Sequence, residues 1–394
     1  MRIARYLVLS LLSAVWIPAI AAEVPMKIEG GRPYVDVTLV ATDGTRIVAH
    51  AWVDTGGGAV ILTRALATKL QLKVLGAKAK NEGETLIPVS MPALLLNDMS
   101  LALEGGAYEI DSTKATLQET DADIAIPGRA LAAYDVVFDY PAGRFSVNAA
   151  AGAKPMGTPS AVSIAIGMPV VSIRVDDKKY GFLLDTGGTN SMVSSAIMDV
   201  WAAKHGNWPR IDGTFGQGDM GLGKQEPHYS MMRIDVIEWG TFQLDNVAVV
   251  SRPVGNYEKF MSGLLRTPIV GSIGGNVLQR FRVEIDYPSG KLYLTKDERT
   301  HEDAIDMVGV TLEPANSGGY EVARIHGDVG GLEVGDRILK VDGQDLTQVP
   351  LSTIIMALSG KPGTIHDISV QRDNQVLTFS VKTQCLLGTL KRSS

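Results

Sequence analysis

Two aspartates stand out because each opens the same short motif. Trp52-Val53-Asp54-Thr55-Gly56-Gly57 and Leu183-Leu184-Asp185-Thr186-Gly187-Gly188 both run from apolar residues through Asp-Thr-Gly into a second glycine. Two carboxylates close enough to hold one water cannot both ionise cheaply, so such a pair shares a proton. The ionised member takes a proton from the water, and the protonated member donates to a carbonyl oxygen. This chemistry requires two equivalent turns to meet about an approximate twofold axis. Which aspartate carries the proton belongs to the pair and is not assignable from sequence.

An Asp-Thr-Gly triplet alone reads as a turn, but here its surroundings are duplicated. Pro33-Tyr34-Val35 opens the first copy and Pro169-Val170-Val171 the second. The copies close on Phe138-Asp139-Tyr140-Pro141-Ala142-Gly143-Arg144-Phe145 and on Ile285-Asp286-Tyr287-Pro288-Ser289-Gly290-Lys291-Leu292. A repeat of this kind predicts two related lobes in tandem. Asp139 and Asp286 each precede Tyr-Pro in a turn and read as structural rather than reactive.

Residues 27–296 resemble the aspartic peptidases, specifically the bacterial retropepsin-like proteins in which both lobes are fused in one chain. The resemblance implies a mostly β fold with two tandem acid-protease lobes forming a cleft. It makes Asp54 and Asp185 the catalytic dyad. Thr55 and Thr186 would cross-brace the turns, and the amides of Gly56 and Gly187 would donate to the carboxylates. No metal or organic cofactor is implied, and a monomer suffices for the site. Pepsin-like members commonly carry Ser or Thr three residues after Asp. Gly57 and Gly188 lack that hydroxyl, and losing a bond to the charged form raises pKa, so a less acidic working range is expected. The run Ile269 to Leu278 resembles the family's apolar-apolar-Gly segment. The first lobe departs from it: Pro127 takes the place of Gly274 and removes a backbone donor, which a one-residue shift to Gly128 would restore.

Along the chain, residues 33–53 read as a hairpin turning at Asp43-Gly44. Thr63 caps a short helix ending at Leu70, and a longer helix runs from Ser194 to His205. A flap-like hairpin is expected within residues 77–92, and the Gly-rich run 213–223 reads as a flexible flap loop. After a charged linker at 297–304 the composition changes. Gly331-Leu332-Glu333-Val334-Gly335-Asp336-Arg337-Ile338-Leu339-Lys340-Val341-Asp342-Gly343 resembles a bacterial PDZ domain, with Leu351 to Leu358 as its groove helix. Such grooves take an extended peptide as an added strand, often by its C-terminal carboxylate. Gly318, Gly319, Tyr320 and Val322 are the expected peptide-binding residues. The exposed look of residues 296–303 suggests a module free to move and to tether substrate.

The domain plan is therefore a signal peptide at 1–21, a first lobe at 22–153, a second at 154–298 and a PDZ domain at 305–384. Arg2 and Arg5 ahead of the apolar run 6–17, with Ala19-Ile20-Ala21 at the cut, predict export, most simply to the periplasm. No second run of about 18 apolar residues follows, so no stable membrane span is expected after cleavage. The formal net charge is −6 with no basic block, which argues against nucleic acid as a partner. The single cysteine, Cys385, excludes an intramolecular disulfide, and the six histidines are scattered, so no metal site is expected. Gly216-Gln217-Gly218-Asp219-Met220-Gly221 matches a dinucleotide pattern by letters only, with no strand before it or helix after. The expected partners are polypeptide substrates and a C-terminal peptide ligand at the PDZ domain. A catalytically silent peptide receptor and a PDZ-centred scaffold stay open as other classes.

Overall fold

The computed structural model describes residues 21–81, 84–110, 122–148, 155–215, 228–299, 305–349 and 351–390. The chain is mostly β and forms two lobes followed by a C-terminal module.

Each lobe begins with a hairpin whose second strand delivers an aspartate. In the first lobe Arg32–Val40 alternates buried and exposed residues and pairs antiparallel with Arg46–Asp54. Gly44 makes the reversal at a φ of +88°, and the Asp43 carboxylate accepts from Thr45 N–H at 2.8 Å. In the second lobe Met168–Val175 pairs with Lys178–Leu184 through a tight turn that holds Asp176 at a φ of +52°. Asp and Asn tolerate that left-handed conformation better than other side chains. The strand after each motif, Val60–Thr63 or Ser191–Ser194, runs into a helix: Arg64–Lys69, capped by the Thr63 hydroxyl, or Ser195–Lys204.

The Asp-Tyr-Pro hairpins join the lobes. A six-stranded antiparallel sheet runs in the order Ala22–Pro25, Arg144–Val147, Asp135–Asp139, Phe281–Asp286, Lys291–Lys296, Thr158–Ser160. At its centre the first lobe meets the second, with Val137 opposite Glu284 and Phe138 opposite Val283. Phe138, Phe145, Phe281 and Val283 are buried beneath it, and this core is continuous with those of both lobes. Asp139 and Asp286 each accept from the amide three residues on, Ala142 at 3.0 Å and Ser289 at 2.9 Å. Both are turn residues, as their position before Tyr-Pro implies.

Within 77–92 a hairpin does form, Ala79–Asn81 against Glu84–Val89. The Gly-rich segment expected as a flap loop lies outside the described residues from 216 onward.

The module has a sheet in the order Val310–Pro314, Tyr320–Ile325, Arg337–Val341, Ile365–Arg372, Gln375–Lys382, with the helix Leu351–Leu358 beside it. It is bolted to the second lobe, contrary to the mobile module expected from the charged linker. Its last strand, Gln384–Leu387, pairs with Ile305–Met307, and the tail beyond it runs onto the second lobe. Arg233, fully buried there, donates to Leu387 O (2.9 Å), Gly388 O (3.1 Å) and Asn246 O (2.8 Å). Asn246 and Leu390 bond reciprocally, at 2.6 and 3.2 Å. Phe215, Met231 and Val250 of the lobe share one buried cluster with Val310 and Leu312 of the module. Charge on the linker said nothing of this, because the attachment uses residues far from it in sequence. Among the described residues, no helix is long and apolar enough to cross a membrane.

Candidate active site

The two Asp-Thr-Gly turns face each other at the junction of the lobes. Thr55 and Thr186 are fully buried and bond reciprocally: each amide donates to the other's hydroxyl at 3.0 Å. The hydroxyls in turn donate across the interface, Thr55 Oγ1 to Leu184 O at 2.6 Å and Thr186 Oγ1 to Val53 O at 2.7 Å. Every polar group of this crossed brace is thereby satisfied, which buried polar groups require. Val or Ala at these positions could not form it.

The brace places the carboxyls together. Gly56 N–H donates to Asp54 Oδ1 at 2.9 Å, and Gly187 N–H to Asp185 Oδ1 at 3.1 Å. Each glycine also packs across onto the opposite aspartate. A Cβ on Gly56 would lie 2.6 Å from Asp185 Oδ1, and one on Gly187 would collide with Asp54 Oδ1. Glycine is needed here for space rather than for unusual dihedrals. Burial pushes the Asp54 carboxyl above the ordinary carboxylate range. The Gly56 amide, a hydrogen bond with Asp185, the Arg32 charge and the Gly57 amide oppose that rise without cancelling it.

Two further residues come from the closing hairpins and cross to the opposite lobe. Tyr287 feels the charge of Asp54, and Tyr140 that of Asp185. Both side chains are buried, and neither hydroxyl has a hydrogen-bond partner among the described residues. Burial, then the neighbouring carboxylate, makes both phenols harder to ionise, so they remain neutral. Tyr287 Oη fills the space beside Gly128, whose missing Cβ would also lie 3.2 Å from Thr55 Cα. The Asp-Tyr-Pro motif is thus part of the site floor, a role that its use as a turn signal did not suggest.

Arg32 went unnoticed in the sequence. Its Nε donates to Gly187 O at 2.8 Å, and its guanidinium lies over the Trp52 ring, 5.4 Å from the centroid. The signal was available in the repeat, where Arg32-Pro33 aligns with Met168-Pro169.

Pro127 does not shift the first lobe's register. It pairs in parallel with Asp54, and Gly128 packs against Gly167 O as Gly275 packs against Gly31 O. In the second lobe Gly274 N–H donates to Ser191 Oγ at 3.1 Å. The equivalent of Ser191 is Val60, so donor and acceptor are lost together, which leaves nothing unsatisfied. Proline there also bears on Gly57: a Cβ at 57 would lie 2.8 Å from Asp54 Oδ2 and 3.2 Å from Pro127 Cβ.

The residues expected to bind peptide in the module are placed differently. Gly318 and Gly319, at φ of +86° and +75°, form a hairpin turn. Tyr320 and Val322 lie on a strand paired on both sides, with Val310–Pro314 and with the Arg337 strand. Val322 N–H donates to Asp336 O at 2.9 Å, and its side chain is buried. Strand addition needs an outer edge, and the outer strand on this side is Val310–Pro314.

A family model for the PDZ domain matches residues 321–366. The crystal structure of an aspartic proteinase from Irpex lacteus is similar at 12% identity and a TM-score of 0.46, covering 71% of this chain and 98% of that one. No curated protein sequence matches the chain. The chain is mostly β, with two lobes meeting at paired Asp-Thr-Gly turns and a PDZ domain at its C-terminal end.

Proposed function

We propose that this chain is an exported aspartic endopeptidase that hydrolyses peptide bonds in extended polypeptide segments. The observation that carries this reading is the reciprocal Thr55–Thr186 brace holding two hydrogen-bonded carboxyls in equivalent turns. A silent binding fold has no need of two carboxyls brought so close that they must share a proton.

The ionised aspartate takes a proton from the attacking water, whose oxygen bonds to the peptide carbon. The protonated aspartate gives its proton to the carbonyl oxygen, forming a neutral gem-diol. Collapse reverses the roles: the first aspartate passes its proton to the leaving nitrogen, the C–N bond breaks, and the second recovers a proton from a diol hydroxyl. The dyad returns to its starting charge. The raised Asp54 carboxyl, with no room for a hydroxyl at position 57, supports a working range less acidic than that of pepsin-like enzymes. The PDZ domain selects substrate from a fixed position on the second lobe, with a C-terminal peptide as its ligand.

The test is mass spectrometry of a peptide library incubated with purified mature protein across several pH values. Cleavage within peptides, absent in Asp185→Asn, supports the peptidase. Binding of peptides without cleavage at any pH supports the receptor reading instead.

A further inference from the structure

The second lobe carries a pocket that hydrolysis at the dyad does not use. It has a volume of about 330 Å³ and lies between the strands Met168–Val175 and Ser230–Trp239, at the end of the helix Ser195–Lys204. Asp176, in the turn that borders it, stands at the opposite end of the strand Lys178–Leu184 from Asp185. At roughly 3.3 Å per residue, the 7 residues of that strand put the pocket about 23 Å from the dyad.

The walls are fixed by contacts that neutralise most of their charge. Asp176 accepts from Lys204 Nζ at 2.7 Å and pairs with His205 Nε2 at 2.9 Å. His205 in turn stacks flat on Trp208, with ring centroids 3.9 Å apart. Glu238 pairs with Arg174 at 3.3 Å across neighbouring strands. Two groups in the lining are left over. The carboxylate of Asp235 has no ion-pair or hydrogen-bond partner among the described residues. Trp208 is 8% exposed, and its indole N–H has no acceptor among the described residues either. An indole N–H so enclosed ordinarily finds one.

These two groups define the ligand. An unpaired carboxylate calls for a cation that donates hydrogen bonds, and a fixed indole N–H calls for an acceptor beside that cation. Asp176 and Glu238 are already neutralised, so one negative charge remains, which a single ammonium matches and a divalent ion does not. A lysine or arginine side chain offers the cation without a neighbouring acceptor. The first residue of a peptide offers both, an α-ammonium and its own carbonyl oxygen three bonds away. We propose that this pocket binds the amino terminus of a polypeptide, with Asp235 receiving the α-ammonium and Trp208 Nε1 donating to the first carbonyl oxygen. The site stands apart from the peptidase reading. Where the dyad cuts a chain, each cut makes a new α-amino group, and the pocket holds the class of fragment that hydrolysis releases.

The test is a proton–nitrogen NMR titration of the mature protein with alanyl-alanine amide, following the Trp208 indole signal as assigned with Trp208→Phe. The amide end keeps the probe out of a PDZ groove that takes C-terminal carboxylates. Two further probes are titrated in the same way: N-acetyl-alanyl-alanine amide lacks the α-ammonium, and N-acetyl-lysine amide carries its ammonium far from the carbonyl. Wild type should bind the free dipeptide amide with a downfield move of the indole N–H, and both blocked probes roughly tenfold more weakly. Asp235→Asn keeps the shape and should weaken the free probe roughly tenfold, as for losing a hydrogen bond to a charged group. Trp208→Phe, followed through the backbone amides around the pocket, should weaken it by about fivefold, as for a neutral bond. An indole signal that ignores the free probe, equal binding of either blocked probe, or full affinity in Asp235→Asn overturns the proposal. Should the variants not fold, the three wild-type titrations decide alone. Failure to cleave any peptide would sink the peptidase reading and leave these outcomes unchanged.

Discussion

The first and second lobes solve the same local problem with different means. In the second, Ser191 Oγ bonds to Gly274 N–H and to Asn276 Oδ1, and Asn276 Nδ2 bonds to Ala248 O, all of it buried. In the first, the same three places hold Val60, Pro127 and the exposed Arg129. One turn is braced by a polar network and the other by apolar contact with proline. The turns themselves keep the same bonds to within 0.2 Å, 2.9 against 3.1 Å for glycine to carboxylate. The geometry of the dyad is therefore set by the crossed threonines rather than by what lies behind each turn. A second difference lies further out. Among the described residues, the first lobe has no contact like that of Arg233 with the PDZ tail.

That last difference gives the largest predicted effect. Truncation after residue 296 uncovers the apolar surface of Phe215, Met231 and Val250. At about 1.5–3 kcal/mol for each large apolar side chain re-exposed, the loss is on the order of 5 kcal/mol. Melting temperature and turnover of a short peptide should fall together. A truncated protein with unchanged melting temperature would show that the module is merely appended.

Next in size are Thr55→Val and Thr186→Val. Each leaves one buried amide and one buried carbonyl unpaired, at about 1–3 kcal/mol per group. Because the brace is reciprocal, denaturant unfolding should give the two variants nearly equal losses. A large inequality would mean that one lobe holds its turn without help.

Ser191→Ala should then cost roughly 1–3 kcal/mol by orphaning the Gly274 amide and freeing Asn276. Val60→Ser, its counterpart, adds a hydroxyl with no amide at Pro127 to meet it, and should destabilise without improving activity. If Val60→Ser were stabilising, the first lobe would have a latent donor that the contacts do not reveal.

The smallest effect concerns pH. Burial raises the Asp54 carboxyl in the folded state. At pH below the unfolded value of about 3.9, the group is protonated in both states and contributes nothing. As pH rises through that value the unfolded chain ionises first, so the native state loses stability until its own carboxyl ionises. Asp54→Asn should therefore melt higher than wild type at neutral pH, with the gain vanishing near pH 3. A gain that persists at pH 3 would have a different origin.

Much of this was legible in the sequence because it is local or repeated. The hairpin turning at Asp43-Gly44, the helix capped by Thr63 and the groove helix Leu351–Leu358 each carry their own signals and formed as expected. The equivalence of Asp54 and Asp185 followed from duplication, since two copies of one motif predict one relation between them. The missed features depend on contacts between distant segments. Nothing around Tyr140 says that its ring reaches toward the other lobe's aspartate. Arg233 reads as an ordinary charge inside the strand Ser230–Trp239, and only the tail 155 residues later explains its burial. Which PDZ strand lies outermost was not legible either, because Val310–Pro314 and Tyr320–Ile325 are both short and of mixed polarity, and only the sheet order separates inner from outer.

The central claim is that the two lobes supply halves of one reacting unit. It is tested most directly by kcat/KM on a single cleaved peptide for Asp54→Asn, Asp185→Asn and the double variant. Residues that act as one unit are strongly non-additive, so each single substitution should remove as much activity as both together, with circular dichroism unchanged. Near-normal turnover in either single variant, or losses that multiply in the double, would contradict a shared dyad.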